Sequence, residues 1–186
     1  MLAACGDDGD RIARPPTSEW AIGAPTSQST PSTFTIPTVG SVNYVTKATG
    51  SLEGKTRITL RYRVDMAEGV AIVPASVLEQ PSIITLYFQR EGDDWSGKGE
   101  FESYRWYATG HFKSPITAGE HVLTAPLDTG WTAVVSSASE TAPNSFLAAK
   151  KRADRIGFVM GGGTGFGHGV RATGQATMTI ISYEIS

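Results

Sequence analysis

Cysteine is almost absent from this chain of 186 residues, because Cys5 is the only one. A single cysteine excludes an intramolecular disulfide and a cysteine-rich metal site. The chain also lacks a large excess of either charge, since the formal net charge is -2 and basic and acidic residues are interspersed. No basic field is present to attract nucleic acid, so nucleic-acid binding is disfavoured. No apolar run is long enough to span a bilayer.

The motifs of common catalytic and metal centres are missing as well. The three histidines, His111, His121 and His168, do not have the H-E-x-x-H spacing of a zinc site, and we interpret His121, which lies within a strand pattern, as structural. There is no G-x-S-x-G nucleophile elbow. The glycine-dense segment 161–169 gives G-x-G-x-x-G in no register, and a strand pattern rather than a helix follows it. We interpret this segment as a permissive connection between two strands.

The pattern that dominates the chain is alternation with a period of two. In residues 56–64 the even positions from 58 onward are apolar and the odd ones are arginine or threonine, which is typical of a half-buried antiparallel strand. Residues 82–90 repeat this pattern, and 21 glycines and 10 prolines favour turn-rich β structure. Only residues 142–153 have helical character, with Pro143 in the first turn. We therefore predict an all-β fold, an antiparallel, jelly-roll-like β-sandwich of eight or nine strands with one short helix near 142–153.

The N-terminal residues carry the most specific motif. Leu2-Ala3-Ala4-Cys5, followed by Gly6, resembles the lipobox of bacterial lipoproteins, in which the cysteine thiol receives a lipid. This resemblance implies that Cys5 is a lipid anchor and that the protein is held in the bacterial cell envelope, in the periplasm or on the surface. The alternative is an ordinary cysteine near the N-terminus. A solvated acidic run from residue 7 to residue 10 favours the anchor over a buried core cysteine.

The segment that follows the motif is rich in proline, serine and threonine. Such a composition buries too little apolar surface to offset the entropy of ordering, so residues 1–32 are interpreted as a lipobox remnant and tether. Trp20 and Ile22 are the residues of this segment that could dock onto the domain. The β-sandwich domain is predicted to comprise residues 33–186.

Aromatic and polar side chains on the predicted strands and loops are the candidates for ligand binding. Flat rings edged by hydrogen-bond donors suit sugars, which offer C–H groups to the ring face and hydroxyls to planar polar groups. Loops at the end of a sandwich are also common places for ligand contacts. The alternative is that these rings belong to the core. The candidate residues are Tyr87, Trp95, Arg105, Trp106, Trp131 and His168.

The last third of the chain resembles the second half of jelly-roll domains similar to carbohydrate-binding modules and galactose-binding-like domains. The segments that carry this resemblance are 122–127 (VLTAPL), Trp131, Phe146, 155–162 (RIGFVMGG) and 177–185 (TMTIISYEI). The resemblance implies two antiparallel sheets and ligand contacts on a concave face or in end loops. It also implies carbohydrate as the partner and, in some members, a structural calcium, whose ligands the sequence does not single out among Asp65, Asp128, Glu184 and other acidic residues.

These observations lead to one functional expectation and two alternatives. The expectation is a non-catalytic, glycan-binding module of an envelope lipoprotein. The first alternative is a structural or protein-interaction module, which predicts an apolar patch or an exposed strand edge. The second is a glycan-cleaving hydrolase, which needs two carboxylates across a cleft. Glu100 and Glu102 on one strand face, with Asp93 and Asp94 in the preceding turn, are its candidate acids.

Overall fold

The computed structural model describes residues 20–26, 28–135, 137–163 and 166–186. Within these residues the chain forms one α-helix, α1 (Pro143–Lys151), and fourteen strands. The strands, in chain order, are β1 (Trp20–Ile22), β2 (Gln28–Thr30), β3 (Thr33–Thr35), β4 (Tyr44–Ala48), β5 (Arg57–Met66), β6 (Ile72–Pro74), β7 (Ser82–Arg90), β8 (Arg105–Ala108), β9 (Lys113–Pro115), β10 (Gly119–Pro126), β11 (Trp131–Ala133), β12 (Ala153–Gly162), β13 (Val170–Ala172) and β14 (Ala176–Ile185). The predicted all-β class and the single short helix are confirmed.

The strands form two main sheets with antiparallel pairing throughout. The larger sheet has the order β11-β8-β7-β12-β4-β1-β2. A further strand, β9, pairs with residues 83–85 of β7, on the same edge of β7 as β8. The smaller sheet has the order β10-β5-β14-β3, and β6 and β13 form a separate two-stranded ladder. The two main sheets pack face to face, because one continuous apolar core contains residues of both. The predicted β-sandwich is therefore present.

The core follows the period-two pattern of the sequence. On β5 the even residues Ile58, Leu60, Tyr62 and Val64 are buried, as predicted, and the arginines between them are exposed. Each large apolar side chain buried in this way contributes about 1.5 to 3 kcal/mol. Helix α1 closes part of the core with Phe146, which contacts the rings of three other buried residues, Phe88, Trp106 and Trp131.

The larger sheet differs from the prediction in one respect, because β7 is buried on both faces. Leu86 and Phe88 point into the core between the sheets, as expected from their parity. Tyr87 and Gln89 point to the opposite face, which the alternation predicts to be wet, yet they are only 0% and 4% exposed. The side chains that cover them form a second, smaller apolar cluster on the outer face of the sheet.

Strand pairing extends into the segment that we interpreted as a tether. β1 pairs with β4 and β2 pairs with β1, and Trp20 packs against the ring of Phe158 and the ring of Tyr183. Trp20 and Ile22 thus dock onto the domain. The lipobox-like motif with Cys5 lies outside the described residues. None of the helices in the described ranges is long and apolar enough to cross a membrane.

Candidate functional site

Three tyrosines form the floor of the candidate site on the outer face of the larger sheet. Tyr44 comes from β4, Tyr87 from β7 and Tyr107 from β8, and strand register places Tyr87 directly opposite Tyr107. The ring centres of Tyr44 and Tyr87 are 5.1 Å apart, and those of Tyr87 and Tyr107 are 5.4 Å apart. Such spacing is that of interacting aromatic rings, so the three make one continuous surface, here called the tyrosine floor.

The hydroxyl groups of the tyrosine floor form hydrogen bonds to each other and to the protein. Those of Tyr44 and Tyr107 are 2.7 Å apart, and the Tyr87 hydroxyl donates to Gln89 Oε1 at 2.6 Å. Burial raises the pKa of all three, and for Tyr44 the contacts with Tyr107 and Arg105 partly oppose this rise. One hydroxyl of the Tyr44–Tyr107 pair donates its hydrogen to the other. The accepting hydroxyl still has its own hydrogen, for which the described residues offer no acceptor.

A buried ion pair lies at one side of the floor. Arg105 begins β8, and its Nε is 2.9 Å from Oδ2 of Asp93; the two side chains are 7% and 0% exposed. The same carboxylate oxygen accepts a hydrogen bond from Gln89 Nε2 at 2.9 Å. Burial raises the pKa of Asp93, and the positive charge of Arg105 opposes that rise. Removal of either charge would leave the other buried without a partner, which is strongly destabilising.

This ion pair holds Trp95 in an unusual backbone conformation. With φ at 68°, Trp95 is the only non-glycine residue of the described ranges that lies in the left-handed region. Its backbone N–H donates to Asp93 Oδ1 at 3.2 Å, and its carbonyl accepts from Arg105 Nη2 at 3.0 Å. A conformation of this kind costs about 1 to 3 kcal/mol and persists only where surrounding contacts enforce it. Here both backbone groups of the residue are fixed by one ion pair.

The half-buried indole of Trp95 stands at the edge of the tyrosine floor. It meets the Tyr44 ring edge-on, with centres 5.2 Å apart and planes at 88°. The Arg105 guanidinium lies 4.8 Å from the indole centre, within cation–π distance. The ring is thus held on two sides while part of it reaches solvent.

Phe166, Gly167 and His168 of the glycine-dense segment supply another wall. Phe166 stacks on Tyr107, with ring centres 5.6 Å apart and planes at 19°. Gly167 follows at φ 75°, and a Cβ at that position would lie 2.5 Å from the Tyr44 hydroxyl oxygen. Only glycine permits both this backbone angle and this close approach. These residues therefore belong to the site as well as to the predicted connection between two strands. The strand that follows the connection is β13, and β14 comes after it.

Between these walls lies an open pocket of about 390 Å³, within the size range of small-molecule sites, and Tyr44 and Tyr107 are the members of the tyrosine floor that line it. Three predicted site residues line it: Trp95 and Arg105, which are ten residues apart, and His168, which is distant from both in sequence. Tyr87 lies beneath the pocket and does not line it. The lining residues are Ala24, Pro25, Asn43, Tyr44, Trp95, Arg105, Tyr107, Val134, Phe166, Gly167 and His168. A smaller pocket of about 240 Å³ beside α1 has no aromatic lining residue.

Trp106 and Trp131 require a correction, because the structure places both in the core with 0% exposure. Trp106 has the opposite parity to Tyr107 on β8 and faces the interior. The indole N–H groups are already used, since that of Trp106 donates to the Ser103 carbonyl at 2.7 Å and that of Trp131 to the Pro126 carbonyl at 2.6 Å. Neither ring is accessible to a ligand, so their assignment as binding residues was wrong.

Tyr44, Asn43 and Phe166 line the pocket but were not among the predicted site residues. Tyr44 lies in a short strand whose apolar pattern does not indicate which face is covered. Phe166 lies in a loop whose path depends on the fold. The signal that points to Phe166 is its position between glycines, beside His168, in a loop at the end of a strand.

The carboxylates considered for catalysis do not converge on the pocket. Glu100 and Glu102 lie in a 3₁₀ turn, Gly99–Ser103, rather than in a strand, and Glu100 accepts a hydrogen bond from the Tyr104 hydroxyl at 3.0 Å. No acidic residue is among the described residues that line the pocket. The ranges that the structure describes also contain no group of three or more histidine, cysteine and acidic side chains that could hold a metal ion.

Comparison with known proteins adds no assignment. No protein family is matched by the chain, and no curated protein or solved structure matches it at a significant level.

Proposed function

We propose that this protein is a non-catalytic carbohydrate-binding module and that the pocket on the outer face of the larger sheet is its binding site. The observation that carries the proposal is the fixed position of Trp95. A half-exposed indole is held in a strained conformation by a buried ion pair, at the rim of a pocket whose floor is aromatic. An observed backbone outlier of this kind is a reason to infer function.

The chemistry of the pocket suits a sugar. Trp95 and Phe166 both offer apolar ring surface to the pocket, and sugar rings pack their C–H faces against such surfaces. Asn43, Arg105 and the Tyr44–Tyr107 hydroxyl pair offer planar or hydroxylic hydrogen-bonding groups next to those rings. Because the aromatic rings are held by packing before a ligand arrives, little ordering entropy remains to oppose binding.

Binding without catalysis is favoured over hydrolysis by the state of the nearest charged groups. A glycoside hydrolase needs one carboxyl group as an acid and a second as a nucleophile or base. Asp93 has its two oxygens occupied by Arg105, Gln89 and the Trp95 N–H, and its side chain is 0% exposed. It therefore supports Trp95 and Arg105 and is not accessible to a ligand.

Isothermal titration calorimetry against a panel of neutral and acidic mono- and oligosaccharides tests this proposal. The Trp95→Gly variant removes the indole and accepts the same backbone angle, so we expect at least about a tenfold loss of affinity. The matched control is Phe101→Ala, which removes a half-buried ring outside the pocket and is expected to change affinity less than about twofold. Absence of binding to every sugar in the panel, or equal binding by the Trp95→Gly variant, would refute the proposal.

The cell-envelope location is part of the same proposal and is supported by the lipobox-like residues around Cys5. It is tested by growing bacteria that express the protein with radiolabelled palmitate. We expect the label on the wild-type protein and no label on a Cys5→Ser variant. Label on neither protein would refute the anchor and leave the carbohydrate proposal intact.

A protein-interaction role is a second candidate, favoured by the edge of the smaller sheet. β10 is the terminal strand of that sheet, and its Val122 is 65% exposed. Exposed strand edges can pair with another chain. If the protein associates with itself through this edge, sedimentation velocity should show oligomers that Val122→Lys dissociates, and a monomeric wild-type protein would exclude this form of the role.

A further inference from the structure

Two side chains that line the pocket, Arg105 and Asn43, keep N–H groups without an acceptor among the described residues, and this points to the kind of sugar that the pocket takes. We infer that the site selects sugars that carry a carboxylate, such as hexuronic acids, over their neutral counterparts. This inference rests on the proposed carbohydrate function and adds the ligand class to it. Three features of the pocket support it: Arg105, Asn43 and the absence of an acidic group among the described lining residues.

Arg105 is the first donor. A guanidinium has five N–H groups, and described residues occupy at most three of them. One faces Asp93, one donates to the Trp95 carbonyl, and one lies near enough to the Tyr44 hydroxyl to lower the pKa of that group against the effect of burial. The side chain is more than nine-tenths buried and lines the pocket. Its remaining N–H groups have no acceptor among the described residues and are available to a ligand.

Asn43 is the second donor, and its orientation is fixed. Its Oδ1 accepts a hydrogen bond from the Tyr44 backbone N–H at 2.8 Å. This bond uses the amide oxygen and leaves the amino group, Nδ2, as a donor with no partner among the described residues. Because Asn43 is half-buried at the pocket wall, a ligand acceptor is the natural partner for that amino group.

The charges around the pocket also favour an acid. Asp93 is used completely by its three protein partners, and the neighbouring Asp94 accepts from the Ser96 N–H at 2.8 Å and does not line the pocket. On the other side, the Lys113 ammonium lies 5.6 Å from the centre of the Phe166 ring. A cationic ligand would meet donors and a buried guanidinium with no free carboxylate, whereas a carboxylate supplies up to four acceptor sites.

The expected selectivity follows from the strength of charged hydrogen bonds. A hydrogen bond to an ionised group is worth roughly twice a neutral one, which corresponds to about a tenfold difference in Kd for a single site. We therefore expect D-galacturonate to bind about ten times more tightly than D-galactose, or D-glucuronate than D-glucose, at low ionic strength.

The test is calorimetric titration of the full chain with these two matched pairs of sugars. Asn43→Asp replaces the donor by a carboxylate of the same shape, which can still accept from the Tyr44 N–H, and should reduce the acid-to-neutral affinity ratio to about one or below. Asn144→Asp, the same chemical change at an exposed position in α1, is the matched control and should leave the ratio unchanged. Near-ultraviolet circular dichroism checks that each variant is folded.

The outcomes separate the two proposals. The inference is supported if the wild-type protein binds the acids more tightly than the neutral sugars, and if Asn43→Asp abolishes this difference while Asn144→Asp does not. Equal binding of acids and neutral sugars refutes it and leaves the carbohydrate-binding function standing. Binding of neither class, with Trp95→Gly indistinguishable from wild type, refutes both.

Discussion

Replacing Trp95 by glycine should leave the protein more stable than replacing it by alanine, although alanine is normally the less costly of the two. Both substitutions delete the same indole and therefore lose the same contacts with Tyr44 and Arg105. What differs is the backbone. At φ 68° a residue with a Cβ is strained, whereas glycine adopts this angle freely.

The size of the difference can be worked from two opposing terms. A side chain in the left-handed region costs about 1 to 2 kcal/mol, which the alanine variant retains and the glycine variant loses. Against this, the greater freedom of glycine in the unfolded chain favours the alanine variant by about 0.4 to 1 kcal/mol. The net expectation is that Trp95→Gly is more stable than Trp95→Ala by about 1 kcal/mol, or about 2 to 4 °C in Tm for a chain of this size.

Urea denaturation followed by far-ultraviolet circular dichroism measures both free energies of unfolding. The fluorescence of Trp20, Trp106 and Trp131, which are all buried, provides a second signal in either variant. Leu147, 57% exposed within α1, supplies the control, because there Leu147→Ala should be more stable than Leu147→Gly by about 1 kcal/mol. If the alanine variant at position 95 is as stable as the glycine variant or more so, the backbone is not strained and the argument for a preorganised Trp95 fails.

Three further predictions follow from the same structure. Asp93→Asn should lower the free energy of unfolding by about 3 to 5 kcal/mol in urea titration, because it leaves Arg105 buried without its partner; a loss below about 1 kcal/mol would contradict the ion pair. Gly167→Ala should cost about 1 to 3 kcal/mol, since it combines a strained φ with a Cβ 2.5 Å from the Tyr44 hydroxyl oxygen, and a wild-type Tm would disprove the close approach. Burial raises the pKa of Tyr62 to about 12 in the folded state, so its contribution to stability is complete below pH 10 and is lost as the pH rises toward 12. Tyrosinate absorbance should therefore appear together with loss of circular dichroism, and ionisation that precedes unfolding would contradict this.

The parts of the fold that the sequence predicts well are those set by neighbouring residues. Alternation within β5 decides which of its residues are buried, because one face of that strand meets the core and the other meets water. The same reasoning assigns Leu86 and Phe88 to the core correctly. It fails for Tyr87, whose parity places it on a face that alternation treats as wet. That face is covered by Tyr44 and Phe166, which lie far from β7 in sequence, together with Trp95 from the loop that follows β7, so the alternation within β7 cannot predict it.

The sequence predicts only part of the candidate site, because it indicates which residue types are suitable but does not show which side of the sheet each one reaches. The sequence predicts Arg105 and Trp95 as exposed polar and aromatic groups, yet in the structure the buried carboxylate of Asp93 links the two residues and fixes them at the pocket. Trp106 was chosen by the same compositional argument and failed, because the parity of β8 turns it inward toward Phe146. Composition identifies the residue types of a site, but only the pairing of strands decides which side of a sheet each one reaches.

The Arg105–Asp93 pair also bears on why a strained residue is retained. A buried ion pair is weak evidence for stability, since well-packed apolar side chains of similar volume are often as good or better. Here, however, the two charges satisfy the backbone N–H and carbonyl of Trp95, which apolar replacements could not do. If the pair served stability alone, replacing both residues by apolar ones would preserve the pocket. We expect instead that such a double variant, even if equally stable, releases Trp95 and loses the carbohydrate affinity that we propose for the site.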